Sequence, residues 1–256
     1  MTSLDRPTRQ VGAADPSAPA APTGSWRRRL GGALDVATVV VLAVGGVLYA
    51  DWMLQLVLPV SADLRHSFIS ELSAADQPFH GVFRAADIAG GVLMALGGAA
   101  AWARAREHAA VWIPLIALGI AVVVEAALPL ATSITFDVGP APQAGTAAWW
   151  ARMSEPHGIA SLVDSLSFLA LLVTGGRALR RSGLGLGVRR VIAGIGLGAA
   201  ALGFAQSAQA AMFLIVGHAF DLGLVQRTEV TLAAAWLTIV PALVLVRHRR
   251  TATALH

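Results

Sequence analysis

The chain lacks cysteine and lysine altogether, and charged residues fill only 13% of its 256 positions. Each shortage excludes something. Zero cysteine removes disulfides, thiolate metal sites and cysteine nucleophiles. Scarce charge, beside 56% hydrophobic residues and a mean hydropathy of +0.66, removes the soluble globular class. The alternating apolar–polar pattern that builds a transmembrane barrel is missing too. So is any internal repeat, which argues against a transporter made of two similar halves.

What the chain does have is six long apolar runs, at residues 34–50 (extendable to 58), 85–103, 109–131, 158–176, 191–216 and 230–246. Such runs match a hydrocarbon core roughly 30 Å thick. Backbone amides find no water there, so runs without alternation must be helices. All nineteen basic residues are arginine, and they are segregated. Arg6, Arg9, Arg27, Arg28 and Arg29 precede the first run; Arg104 and Arg106 follow the second. Arg177, Arg180, Arg181, Arg189 and Arg190 follow the fourth, and Arg247, Arg249 and Arg250 the last. The other gaps hold only Arg65, Arg84, Arg152 and Arg227. Arginine-rich short loops stay cytoplasmic. The expected fold is therefore an all-α membrane protein, a bundle of six transmembrane helices with cytoplasmic N- and C-termini. Tryptophan fits this layout, with Trp26, Trp102 and Trp112 near the inner boundary and Trp52, Trp149 and Trp150 near the outer one. The formal charge of +4 then reports topology and contact with anionic lipid, not nucleic acid binding.

The bundle is expected over residues 30–247. Residues 1–29, rich in proline and alanine, read as a disordered cytoplasmic tail, and 248–256 as a cytoplasmic C-terminal tail. Arg27-Arg28-Arg29 before an apolar run resembles a signal peptide, but the run is long and no small-residue cleavage site follows promptly. The pairs Gly90-Gly91 and Gly97-Gly98, and Gly194, Gly196 and Gly198, lie inside spans, where small residues let helices approach. Gly183, Gly185 and Gly187 have dinucleotide-like spacing, but no strand precedes them, so they read as a loop.

Polar residues concentrate in the arginine-poor gaps: Asp63, His66, Glu71, Asp76 and His80, then Asp137, Glu155 and His157, then His218, Asp221 and Glu229. Four of the seven histidines are among them. Within spans, Glu125 should lie roughly 9 Å deep, close to Pro129, which cannot donate to a helix carbonyl. Asp164 follows His157 by two turns, with Ser161 between, so all three share a face. Gln206 and Gln209 share a face of the fifth span. Polar groups at this depth face a cavity or a partner. Plainer readings exist. Asp51 and Asp87 would mark the interface, Asp87 paired with Arg84; the glutamines would bond between helices; Ser154 would cap a helix with Pro156 in its first turn.

Three segments carry a resemblance. The stretch Arg65-His66-Ser67-Phe68-Ile69-Ser70-Glu71-Leu72-Ser73-Ala74 resembles the serine-rich "SISELGA" segment of domain-of-unknown-function family 998 (DUF998). Pro156-His157-Gly158-Ile159-Ala160, opening the fourth span, is similar to that family's "HGIAA" segment, and Gly223-Leu224-Val225-Gln226-Arg227 resembles its "GLxQR" turn before the last span. These are six-span prokaryotic membrane proteins without an established reaction. The resemblance covers roughly residues 34–246 and implies fold and topology, with Ser70, Glu71, His157 and Arg227 as the positions to watch.

Two functions follow as expectations. One is a multi-pass plasma-membrane protein that binds a lipid or an envelope partner through a polar pocket at its extracytoplasmic end, with homo-oligomerisation open. Its binding residues would be Ser70, Glu71, Gln206, Gln209 and Arg227. The other is a membrane enzyme acting on a lipid or isoprenoid, with Glu125, Asp164 and His157 in acid–base roles. A divalent metal held by His66, His157 and His218 would serve that chemistry, although no compact metal-binding spacing occurs. The loops 67–74 and 149–157 are expected to fold back over Glu125 and Asp164.

Overall fold

The computed structural model describes the backbone of residues 25–130, 133, 154–216 and 221–254, and the side chains of residues 32–130, 133, 154–212 and 221–248. The described residues contain no strand. Six helices carry the fold: α1 (Ser25–Tyr49), α2 (His80–Arg104), α3 (Ala109–Ala127), α4 (Pro156–Arg180), α5 (Leu186–Val216) and α6 (Leu222–Ala254). Each contains a segment long and apolar enough to cross a membrane. Of the expected tail 1–29, residues 1–24 lie outside the described residues, while 25–29 are not a disordered tail but the first turns of α1; the backbone beyond residue 247 likewise stays helical to Ala254.

The helices form a ring. α2 packs extensively on α3 and α1, α3 on α4, and α6 on α5 and α1. Only thin contacts join α4 to α5 and α6, so the ring has one weak seam. Glycine sets the tightest crossing: a Cβ on Gly119 would stand 2.5 Å from the carbonyl oxygen of Gly91, and one on Gly91 2.6 Å from that of Gly119. The two backbones touch, as small-residue packing allows. Gly196 likewise receives the Trp236 ring, but Gly194 faces nothing within 4 Å. Trp112, expected near the inner boundary, does lie at the arginine-rich end but faces the protein core. It is fully buried, and its Nε1 donates to Ala105 O at 2.9 Å, anchoring α3 to the end of α2. At this arginine-rich end Arg104 Nη1 donates to Asp35 Oδ1 at 2.6 Å, tying α2 to α1.

At the other end, residues 50–79 form a compact cap rather than an open loop. Two short 3-10 helices, Asp51–Leu56 and Ile69–Ser73, enclose a small core of Ala62, Leu72 and Phe83. The residues of the "GLxQR" resemblance pin this cap. They do not form a turn: Gly223 to Arg227 are the opening of α6. Arg227 is 1% exposed. Its Nε and Nη2 donate to Gln55 Oε1 at 3.0 and 2.7 Å, and its Nη1 to Ser67 O at 2.8 Å and Gly223 O at 3.1 Å. Gln226 Oε1 accepts from the Ile69 amide at 2.7 Å. Glu71, also fully buried, lies within electrostatic reach of Arg227. Two of the resembling segments therefore meet in one buried network.

Candidate functional site

Two hydrogen-bonded groups lie at the acid-rich end, each joining helices distant in sequence. α3 stops at Ala127, and the Leu128 amide folds back on the carbonyls of Val124 and Glu125. Pro129 follows and has no amide hydrogen to donate. Beyond the helix end the Leu128 carbonyl faces α4, where His157 Nδ1 lies 3.1 Å away. A carbonyl only accepts, so Nδ1 carries the hydrogen and donates. That directs Nε2 at Glu125 Oε1, 3.4 Å away. Ser161, one turn along α4, donates to the same oxygen at 2.7 Å. A proton between Glu125 and His157 can sit on either group: on oxygen it gives a neutral pair, on nitrogen an ion pair.

The second group joins α1 to α4. Tyr49 donates its hydroxyl to Asp164 Oδ2 at 3.2 Å. Asp164 Oδ1 is buried and has no hydrogen-bond partner among the described residues. So His157 and Asp164, although on one face, engage different helices. Carboxyls from other helices surround them. Asp164 lies within electrostatic reach of Glu125, Glu229 and Asp87, and Asp87 within reach of Asp51. Glu229 of α6 packs beneath Gly203 of α5, so all six helices border this region.

Asp51, which the plain reading places at the interface, lies just beyond α1. It is 5% exposed, and its Oδ2 has no partner among the described residues. Burial pushes its carboxyl up to about 7, against the opposing pull of a hydrogen bond from the Trp52 amide. The expected Arg84–Asp87 pair does not form among the described residues; Arg84 Nε donates instead to Ala126 O at 3.2 Å. Glu155, not Ser154, holds the cap position of α4, with Pro156 first in the helix.

The remaining expected site residues are scattered. Ser70 O accepts from Ser73 Oγ within the cap. Gln206 and Gln209 lie half-buried on α5, and Gln209 Oε1 is another buried acceptor without a partner among the described residues. His66 Nδ1 lies 2.9 Å from Asp63 Oδ1 at the surface, and His218 lies outside the described residues. Among the described residues no three histidines or acids gather closely enough to hold a metal ion. Of the expected lid, residues 67–74 do fold back, with Ser67, Glu71, Leu72, Ser73 and Ala74 buried; residues 149–153 lie outside the described residues. Sequence reasoning missed Tyr49. Its place as the last residue of α1 was the available signal, because an aromatic hydroxyl there can reach inward as well as outward.

Six long apolar helices among the described residues, with hydrogen-bonded acids between them, define a multi-pass helical membrane protein. The chain belongs to the family described as "Protein of unknown function (DUF998)", which it matches over residues 41–243, from within α1 to within α6. No curated protein and no solved structure matches the chain at a significant level.

Proposed function

We propose that the protein sits in the plasma membrane with both termini cytoplasmic, and that its acid-rich, extracytoplasmic end binds a lipid whose headgroup carries hydrogen-bond donors. One observation supports this above the others: Asp164 Oδ1, buried beside the Tyr49 bond, has no partner among the described residues. A buried acceptor left open is costly, so such an atom points to a ligand or a bound water. Asp51 Oδ2 and Gln209 Oε1 are open acceptors at the same end. Hydroxyl or ammonium groups fit three acceptors; a bare phosphate does not. In this reading Arg227 and Glu71 hold the cap in place and do not touch the ligand.

A second reading, acid–base catalysis on a lipid or isoprenoid, draws on the Ser161–Glu125–His157 group, in which an acid and an imidazole face one another. One experiment separates the two. Protein extracted with its native lipids is analysed by native mass spectrometry and for bound metal, beside Asp164→Leu. Retention of an amine- or hydroxyl-headed lipid by the parent and its loss from Asp164→Leu is the expected result. Equal retention by both, or none by the parent, overturns the binding reading. Stoichiometric zinc or manganese would favour the enzyme.

A further inference from the structure

The other end of the bundle holds a feature that this reading does not use. A cavity of about 440 Å³ opens between α3, α4 and α6 at the arginine-rich end. Arg177 and Arg181 of α4 and Arg247 of α6 line it, over an inner wall that includes Val111, Val240 and Val244. Its one acid, Glu107, is already engaged: His248 Nδ1 lies 2.5 Å from Oε1, and His108 Nδ1 3.5 Å from it. The side chains of Arg177 and Arg181 make no hydrogen bond or ion pair among the described residues. Their planar forks suit a phosphate, which two guanidiniums can bind through paired N–H donors.

A second, separate hollow lies farther along α4. On α4, Arg181, Arg177, Thr174 and Ala170 follow at steps of three or four residues and so share a face. Beyond Thr174 the same face reaches an apolar hollow of about 250 Å³, where Ala170, Leu166 and Val163 oppose Ile113 and Pro114 of α3. Topology alone accounts for arginines at this end. It does not account for a cavity beneath two arginines that are unpaired among the described residues, or for an apolar hollow on the same face of α4. Arg106 and Arg190, exposed at the same end, border neither hollow.

We propose that this cavity is a binding site for an anionic phospholipid of the cytoplasmic leaflet, with the phosphate on Arg177 and Arg181 and an acyl chain along the α3–α4 groove. Charge complementarity selects the headgroup, and the groove selects a lipid over a soluble phosphate ester. Basic pockets between transmembrane helices on the cytoplasmic side are used in this way.

The test uses the full chain in neutral detergent, with binding followed by thermal shift and native mass spectrometry. Dioctanoyl phosphatidylglycerol, dioctanoyl phosphatidylcholine and glycerol 3-phosphate are the probes. Phosphatidylglycerol should bind at least about tenfold tighter than either other probe. Arg177→Gln combined with Arg181→Gln should weaken it by a further factor of about ten, the scale of a lost charge-assisted pair. Arg106→Gln with Arg190→Gln, which removes the same charge, should leave it within about twofold. Ala170→Phe, which fills the groove and keeps every arginine, should weaken phosphatidylglycerol and leave any glycerol 3-phosphate binding unchanged; it decides the matter if the double arginine variant does not fold. Equal losses in the two arginine doubles would reduce the site to bulk charge and overturn the proposal. Glycerol 3-phosphate binding as tightly as the lipid would overturn it as well, by making the ligand a soluble phosphate.

Discussion

Deleting one oxygen tests whether the Tyr49–Asp164 pair is a clasp between helices or part of a working site. Tyr49→Phe keeps the ring packed against the main core and removes only the donor to Asp164 Oδ2. Both carboxyl oxygens of Asp164 are then without a partner among the described residues. In soluble proteins an orphaned buried acceptor costs about 1–3 kcal/mol. Side-chain bonds between transmembrane helices average nearer 0.6 kcal/mol and reach about 1.7. At 3.2 Å this bond is long for a hydroxyl donor, which places it near 1 kcal/mol, roughly 2–4 °C in Tm for a chain of this size. Four proteins are melted in detergent: the parent, Tyr49→Phe, Asp164→Leu and the double variant. Asp164→Leu should be at least as stable as the parent, because removing a buried acid lowers the cost of insertion. In that background Tyr49→Phe should cost nothing, so the cycle isolates the pair. Asp164→Asn retains an acceptor for Tyr49 and should melt near the parent, yet fail to complement a deletion strain if the acid serves a ligand. A fall in stability for Asp164→Asn matching its loss of function would refute the reasoning and remove Asp164 from the site.

The cap should respond to pH through Asp51. Folded, its carboxyl holds a proton up to about pH 7; unfolded, only to about 3.8. The native state therefore binds the extra proton between those values, and the contribution of this carboxyl to stability falls as pH rises through that window. Denaturation at pH 5 and pH 8 should show a shallower slope in Asp51→Asn than in the parent. Gly119→Ala puts a Cβ against the Gly91 carbonyl and should destabilise by about 1–3 kcal/mol, whereas Gly194→Ala, with open space around it, should be neutral or slightly stabilising in the same melt. Reporter fusions at Gly183 and Gly145 should give opposite signals, Gly183 cytoplasmic; equal signals at the two sites would overturn the six-span topology.

The spans were legible because hydrophobic length is a property of single segments, readable without knowing any partner. Their ends were less so. α6 begins at Leu222, eight residues before the apolar run, because Arg227 is buried among acceptors from the cap and costs little inside the helix there. No hydropathy value anticipates an arginine that finds its partners 160 and 172 residues away. α3 shows the opposite error, ending at Ala127 where apolarity ran on to residue 131, because Pro129 interrupts its backbone bonding. Glycine pairing was visible as a habit, but which glycines touch was not. Gly91 and Gly196 meet neighbours, and Gly194 meets none.

The site divides along a similar line. Depth and chemistry singled out Glu125 and Asp164, since an acid within an apolar run needs a reason wherever its helix packs. Partners are a matter of which helices adjoin, and sequence carries that only through long-range packing. Hence His157 was placed with Asp164 by helical spacing, while the fold gives it to Glu125 across α3 and gives Asp164 to Tyr49 across α1. Charge bias misled more directly. Arginine segregation draws attention to the acid-rich end, because polar residues there cannot be topological markers, and the arginine-rich end reads only as topology and general contact with anionic lipid. Yet topology requires only that arginines be present at that end. Whether they stand over solid protein or over a 440 Å³ hollow depends on how α4 leans from α5 and α6, and that weak seam is written in no single helix.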